Sequence, residues 1–104
     1  MTETEKRIEL NSILETILGS TNVYFQPPEN LKLKFPCIIY DWTANDRLSA
    51  DDMKYRKMRR YSVTVVDKNP DSGIPDKVEE LPFCSLDRRY VSDNIYHTVY
   101  TLYY

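Results

Sequence analysis

Residues Ile95-Tyr96-His97-Thr98-Val99-Tyr100-Thr101-Leu102-Tyr103-Tyr104 read as a β-strand with two adhesive faces. Successive strand side chains point to opposite sides of a sheet, so Tyr96, Thr98, Tyr100, Leu102 and Tyr104 share one face, and Ile95, His97, Val99, Thr101 and Tyr103 the other. No polar tail follows, and the segment is expected to be packed to its last residue. A chain of 104 residues has room for one core of helix on sheet and little more. Part of this surface is therefore expected to meet another protein chain.

The rest of the composition fits one folded domain. Apolar residues make up 41% and charged residues 29%, and two glycines are too few for a disordered or low-complexity chain. No run is long and apolar enough to span a membrane, and the opening Met-Thr-Glu-Thr-Glu-Lys-Arg is acidic and polar where a signal peptide is basic and then apolar. The expectation is a protein made and used in a cytosol-like compartment, or carried out inside a particle. Cys37 and Cys84 lie far apart in apolar contexts and read as two buried free thiols, with a disulfide between adjacent strands as the alternative. One histidine and two separate cysteines give no recognised metal spacing.

Charge is unevenly placed. Residues 1–53 hold 5 Lys/Arg against 9 Asp/Glu, whereas residues 54–104 hold 9 against 7, a net of −4 followed by a net of +2. Opposite-sign surfaces suit head-to-tail self-association and are equally compatible with chance.

Along the chain, residues 4–18 read as one long helix. Leu10, Ile13, Leu14, Ile17 and Leu18 form a buried stripe, Thr2 and Glu5 have capping-box spacing, and Gly19 stands where a left-handed residue ends a helix. A short strand, Val23 to Gln26, is cut off by Pro27-Pro28. Cys37-Ile38-Ile39-Tyr40-Asp41-Trp42 reads as a central strand buried on both sides. From Thr43 to Met58 the apolar pattern is lost, which predicts a charged loop or, with a short strand at Arg47 to Ser49, a long β-arm. Strand character returns from Arg59 to Lys68. Pro75 at a first helical position, with Ile74, Val78 and Leu81, predicts a short helix stopped by Pro82. Two strands follow, near Phe83 to Val91 and Ile95 to Tyr104, joined by Ser92-Asp93-Asn94. The predicted fold is α+β, in the order α-β-β-β-α-β-β, with both helices on one face of a mainly antiparallel sheet.

Catalysis needs a nucleophile, an acid-base pair or a metal brought together, and no such motif is present. His97 reads as a half-buried strand residue bonded to a neighbour. The cluster Lys54-Tyr55-Arg56-Lys57-Met58-Arg59-Arg60 interleaves a tyrosine with five positive charges, the pattern used for phosphate contact and base stacking. Against that stand the negative total charge and the nearby Asp51-Asp52. A solvated or salt-bridging arm is the preferred reading, and a nucleic-acid contact the alternative. Asp87-Arg88-Arg89-Tyr90 forms a second charged patch, read as cross-strand pairing or subunit contact.

In Asn22-Val23-Tyr24-Phe25-Gln26-Pro27-Pro28, in Phe35-Pro36-Cys37-Ile38-Ile39-Tyr40, and from Ile74-Pro75-Asp76-Lys77-Val78 to the end, the chain resembles small tail-terminator or tail-completion proteins of long-tailed bacteriophages. None of these stretches is a catalytic signature; the likeness lies in the order of segments. It implies a single structural domain over 1–104 with a charged arm at about 43–58, part of the virion at the head–tail junction and of the host cytoplasm during assembly. The resemblance further implies a ring, usually a hexamer, on the head-proximal end of the tail tube, stopping tube growth and docking the head. Its partners would be further copies of itself, the tail-tube protein and a head-completion or connector protein, with at most weak nonspecific DNA contact, no membrane, no cofactor and no reaction. Lys54, Tyr55, Arg56, Lys57, Arg59, Arg60, Arg88, Arg89, Tyr103 and Tyr104 are the candidate interface residues. A head-completion or connector protein is the alternative within phage assembly, and a small nucleic-acid-binding module using residues 54–60 the alternative outside it.

Overall fold

The computed structural model describes residues 2–49 and 55–104, with the strand residues 46–49 and 55–57 described by their backbone. The element order is α1 (Glu3–Leu18), β1 (Val23–Phe25), β2 (Cys37–Ser49), β3 (Tyr55–Asp67), α2 (Ile74–Glu79), β4 (Cys84–Ser92) and β5 (Ile95–Tyr103). The strands form one sheet in the order β1-β2-β3-β5-β4. β1 joins β2 in parallel and every other pairing is antiparallel, so the α+β fold and its segment order are as the sequence predicts.

α1 begins where Thr2 accepts a hydrogen bond from the Glu5 backbone N–H at 3.1 Å, satisfying one of the donors that a helix start leaves open. It ends at Gly19, whose φ of 81° is costly for a residue with a Cβ and whose N–H donates to the Glu15 carbonyl at 2.8 Å. Leu10 and Leu14 of its apolar stripe are fully buried, and Ile17 and Leu18 pack at the margin. They meet Ile38, Tyr40, Tyr61, Val63, Val65, Tyr100 and Leu102 on one face of the sheet, and Val78 of α2 completes this core.

The helix is also held by a polar chain. Arg7 donates to the Tyr40 hydroxyl at 3.2 Å, that hydroxyl donates to Asn11 at 2.6 Å, and Asn11 donates to Glu15 at 2.8 Å. A buried phenol thus keeps its hydrogen bonds while its ring adds apolar area, which removes the main cost of placing a tyrosine in a core.

Both faces of β5 contribute buried residues: Tyr100 and Leu102 beneath the helices, and Val99 on the opposite side, where Cys37 and Val66 are buried as well. The strand is adhesive on two sides because it lies inside the sheet, between β3 and β4. The β4–β5 hairpin closes through Asp93 and Asn94, with φ of 53° and 62°. These are residue types that tolerate the left-handed region required by a two-residue hairpin turn.

Two expectations are corrected. Cys37–Trp42 is an interior strand between β1 and β3, with Cys37, Ile38 and Tyr40 buried, but β3 holds the middle of the sheet and Trp42 is 42% exposed, where β2 passes beyond its pairing with β1. β4 starts at Cys84, because Phe83 has a φ of 57° and turns the chain into the strand from outside it.

Tyr100 is buried and donates to the Pro75 carbonyl at 3.0 Å, coupling β5 to α2. Tyr100→Ala is expected to cost roughly 3–5 kcal/mol, as large aromatic truncations do, and Tyr100→Phe about 1 kcal/mol for the lost hydrogen bond. Urea unfolding of both variants checks the ranking; equal stability of Tyr100→Ala and the parent would contradict this packing.

Candidate functional site

β2 and β3 run together much farther than the sheet does. Their register extends from Cys37 opposite Val66 to Ser49 opposite Tyr55, with a bulge between Trp42 and Ala44. On the β3 side, β5 ends with Tyr103 opposite Arg60 and a last bond from the Tyr104 N–H to the Arg59 carbonyl at 3.0 Å. On the β2 side, β1 ends opposite Tyr40, and the Gln26 side chain accepts the Trp42 N–H at 3.2 Å. Residues 44–49 and 55–59 therefore form a two-stranded ribbon projecting past the five-stranded body. The charged loop considered for this stretch is instead the β-arm, because backbone pairing continues where apolar alternation has stopped.

The base of the ribbon is tightly fixed. Thr43, the bulged residue, donates through its hydroxyl to the Arg60 carbonyl at 3.0 Å. The Trp42 indole N–H lies 3.2 Å from the Ala44 carbonyl and 3.3 Å from Asn45 Oδ1. The Arg59 guanidinium stacks 3.8 Å above the Trp42 ring, and its Nε lies 3.5 Å from Glu3 at the start of α1. Stacking leaves the guanidinium edge available to a carboxylate, so one side chain serves both partners.

A second surface lies along β4. This edge strand is exposed over nearly its whole length, with Leu86 and Val91 exposed and Tyr90 stacked on His97 at 4.6 Å. A bulge between Leu86 and Arg88 interrupts its pairing with β5. Arg88 pairs with adjacent Asp87 at 3.1 Å, and Arg89 donates to the Pro70 carbonyl at 3.0 Å. His97 places Nδ1 3.1 Å from the Ile95 carbonyl, a neighbour contact of the kind its strand position predicts.

The third feature is a groove between α1, the segment after α2 and the end of β5. It has a volume of about 390 Å³ and is lined by Leu10, Ile13, Met58, Leu81, Phe83 and Leu102, with Lys6, Glu9 and Tyr104 supplying polar groups. Phe83 is 58% exposed. Sequence reasoning missed the groove, since Phe83 reads there as a strand residue; the only available signal was Pro82, which ends the α2 segment just before it.

The candidate interface residues thus fall in three places. Lys54 lies outside the described residues; Tyr55, Arg56 and Lys57 belong to the ribbon, their side chains outside that description. Arg59 and Arg60 stand at the ribbon's base, with Arg60 opposite both Ala44 and Tyr103. Arg88 and Arg89 are on the edge strand. Tyr103 and Tyr104 line the groove, and the Tyr104 hydroxyl donates to Glu9 of α1 in a short hydrogen bond.

Both cysteines are free, Cys37 buried and Cys84 half-buried. Burial pushes each thiol up to about 11, assisted by Asp67 at Cys37 and by Glu79 at Cys84. Tyr104 is pushed up to about 12 by desolvation and then by Glu9. No group of three or more His, Cys, Asp or Glu among the described residues is placed to hold a metal ion, and no helix among them is long and apolar enough to cross a membrane. No protein-family model matches the sequence, and no curated protein is significantly similar to it.

The raised thiol values set the sign of an alkaline effect. The unfolded chain releases its thiol protons near the ordinary value of 9, before the folded chain does near 11. The thiols' contribution to folding stability is therefore full below pH 9 and is lost as pH rises toward 11. Urea unfolding across that window should show a decline that Cys84→Ser makes shallower; stability rising with pH there would contradict the burial of these groups.

Proposed function

We propose that this chain is a structural assembly subunit that associates head-to-tail into a ring, in the manner of the tail-completion proteins it resembles. In that role it caps the head-proximal end of a phage tail tube as a hexamer, stops tube growth and presents a docking surface to the head connector. The observation that carries the reading is the two-stranded ribbon standing clear of the body on a fixed base. Two strands without a covering layer are marginally stable in water, so such an element implies a neighbour. The groove, an apolar depression, and β4, a single exposed edge strand, are unlike the ribbon in shape. A cyclic assembly needs two unlike, complementary patches on each subunit.

The engagement of Arg59 with Trp42 and Glu3 favours protein assembly over the nucleic-acid reading, because one of the five cations in the basic cluster is committed inside its own chain. The test is light scattering and electron microscopy of the protein alone and with tail tubes. It includes a variant in which residues 47–57 are replaced by Asn-Gly, a two-residue turn that suits the pairing of Asp46 with Met58. The parent is expected to form rings or to be recruited into them on tubes, and the shortened variant to fold and remain monomeric. A shortened variant that assembles normally would refute the role of the ribbon, and a parent that stays monomeric on tubes while binding DNA at physiological salt would replace this reading with the nucleic-acid one.

A further inference from the structure

We infer that Arg59 is a positioning residue that splints the bulge at Thr43, so that the first turn of α1 sets the direction in which the ribbon leaves the body. The splint acts in the free subunit, whatever the ribbon meets.

The bulge is the natural hinge of the β2–β3 pair. Trp42 lies opposite Tyr61 and Ala44 opposite Arg60, and Thr43 between them has no partner residue in the ladder. An extra residue of this kind bends its strand and disrupts the pairing locally. Support from the body ends at the same level, with β1 opposite Tyr40 on one side and the Tyr104 N–H on the Arg59 carbonyl on the other. At the usual rise per residue, residues 44–49 extend roughly 20 Å beyond the bulge, so a tilt of about 15° at the base moves the far end by about 5 Å. Over such a lever the ladder alone fixes direction poorly.

Three side-chain contacts bridge the bulge. The Thr43 hydroxyl donates to the Arg60 carbonyl at 3.0 Å and ties the bulged residue to the facing strand. From the body side, the Trp42 indole N–H points to the Ala44 carbonyl at 3.2 Å and to Asn45 Oδ1 at 3.3 Å on the ribbon side. From the ribbon side, Arg59, whose register partner is Asn45, reaches back over the Trp42 ring at 3.8 Å and to Glu3 at 3.5 Å. Glu3, Arg59, Trp42 and Asn45 thus form a continuous chain of contacts from α1 to the first residues of the ribbon.

Arg59 is the link common to the helix and the hairpin, and its chemistry suits that place. A guanidinium offers a flat face to the indole and an N–H edge to the carboxylate at once, whereas a lysine ammonium is a point charge without that plane. The Arg59 side chain is 16% exposed and that of Glu3 41%, so the stack is the sheltered arm of the splint and the ion pair is the arm open to salt. A ribbon held in one direction loses less freedom when it meets a surface.

The test is the orientation of the ribbon in solution, read from backbone residual dipolar couplings of residues 44–47 and 57–58 against those of α1, β4 and β5. In the parent, the ribbon couplings should fit the alignment of the body. Arg59→Leu should reduce them to roughly half or less of the values that alignment gives, through motion slower than a crystallographic B-factor reports, while the body couplings stay as they were. Loss of the stack should also raise acrylamide quenching of Trp42, the chain's single tryptophan. Arg59→Lys should fall between parent and Arg59→Leu. Glu3→Gln should give a partial loss at low salt and none beyond that of the parent at about 1 M NaCl, where screening has already removed the ion pair. Ribbon couplings that fit the body equally well in Arg59→Leu and the parent would overturn the inference, as would a parent whose ribbon does not share the body's alignment. Should Arg59→Leu fail to fold, Arg59→Lys and Glu3→Gln carry the same comparison, and unchanged ribbon couplings in both would overturn it.

Discussion

Tyr40 is the contact on which the rest of the structure depends. Its ring lies in the core between Phe25 and Tyr61, with ring centroids 5.0 and 5.9 Å away, and its hydroxyl joins Arg7 and Asn11 of α1. The residue thus fixes the height and rotation of α1 over the sheet, and α1 in turn determines how far along β2 and β3 the covered region reaches. At the helix start, one turn before Arg7, Glu3 receives Arg59, and there the cover ends. Inward of this point the β2–β3 pair is a buried sheet; outward it is a ribbon.

That boundary separates two physical regimes in one hairpin. From Ile38 to Tyr40 and from Tyr61 to Val65, inward-facing residues have no contact with water. Each large apolar side chain buried there contributes roughly 1.5–3 kcal/mol, enough to hold the register without help. Past the bulge at Thr43, Met58 is the last buried apolar residue among those described, and the ladder beyond it continues on backbone hydrogen bonds, whose net contribution in water is small. The same chain therefore has a self-sufficient body and an extension with little burial of its own, a division that the proposed assembly role would use by resting folding and association on different residues.

The elements governed by local rules were legible in the sequence. α1 follows from its apolar stripe together with Thr2 and Gly19, α2 from Pro75, and the β4–β5 hairpin from Asp93-Asn94. The position of β5 inside the sheet explains its two adhesive faces, which sequence alone could also assign to an intermolecular surface. What local rules do not encode stayed hidden. The outer halves of β2 and β3 lack alternation, with Met58 the buried residue at their inner end, so beyond a possible short strand at Arg47 to Ser49 periodicity gave little signal for a pairing that the register itself propagates. Trp42 reads as a core residue, yet it serves as a platform for Arg59, a relation visible only once α1 is placed. The groove is a tertiary feature made by the left-handed turn at Phe83, and no spacing in the sequence announces it.

Amide hydrogen exchange along β2 and β3, followed in dilute monomer and in assembled protein, tests the division between body and ribbon most directly. In the monomer, residues 38–42 and 61–66 should exchange only through global unfolding, while protection should fall sharply across the bulge into residues 45–49 and 55–58. Assembly should raise protection in the second set and leave the first unchanged. Equal, strong protection of both sets in the monomer would show that the ribbon is stable by itself, and the claim that it is built for a neighbouring subunit would be wrong.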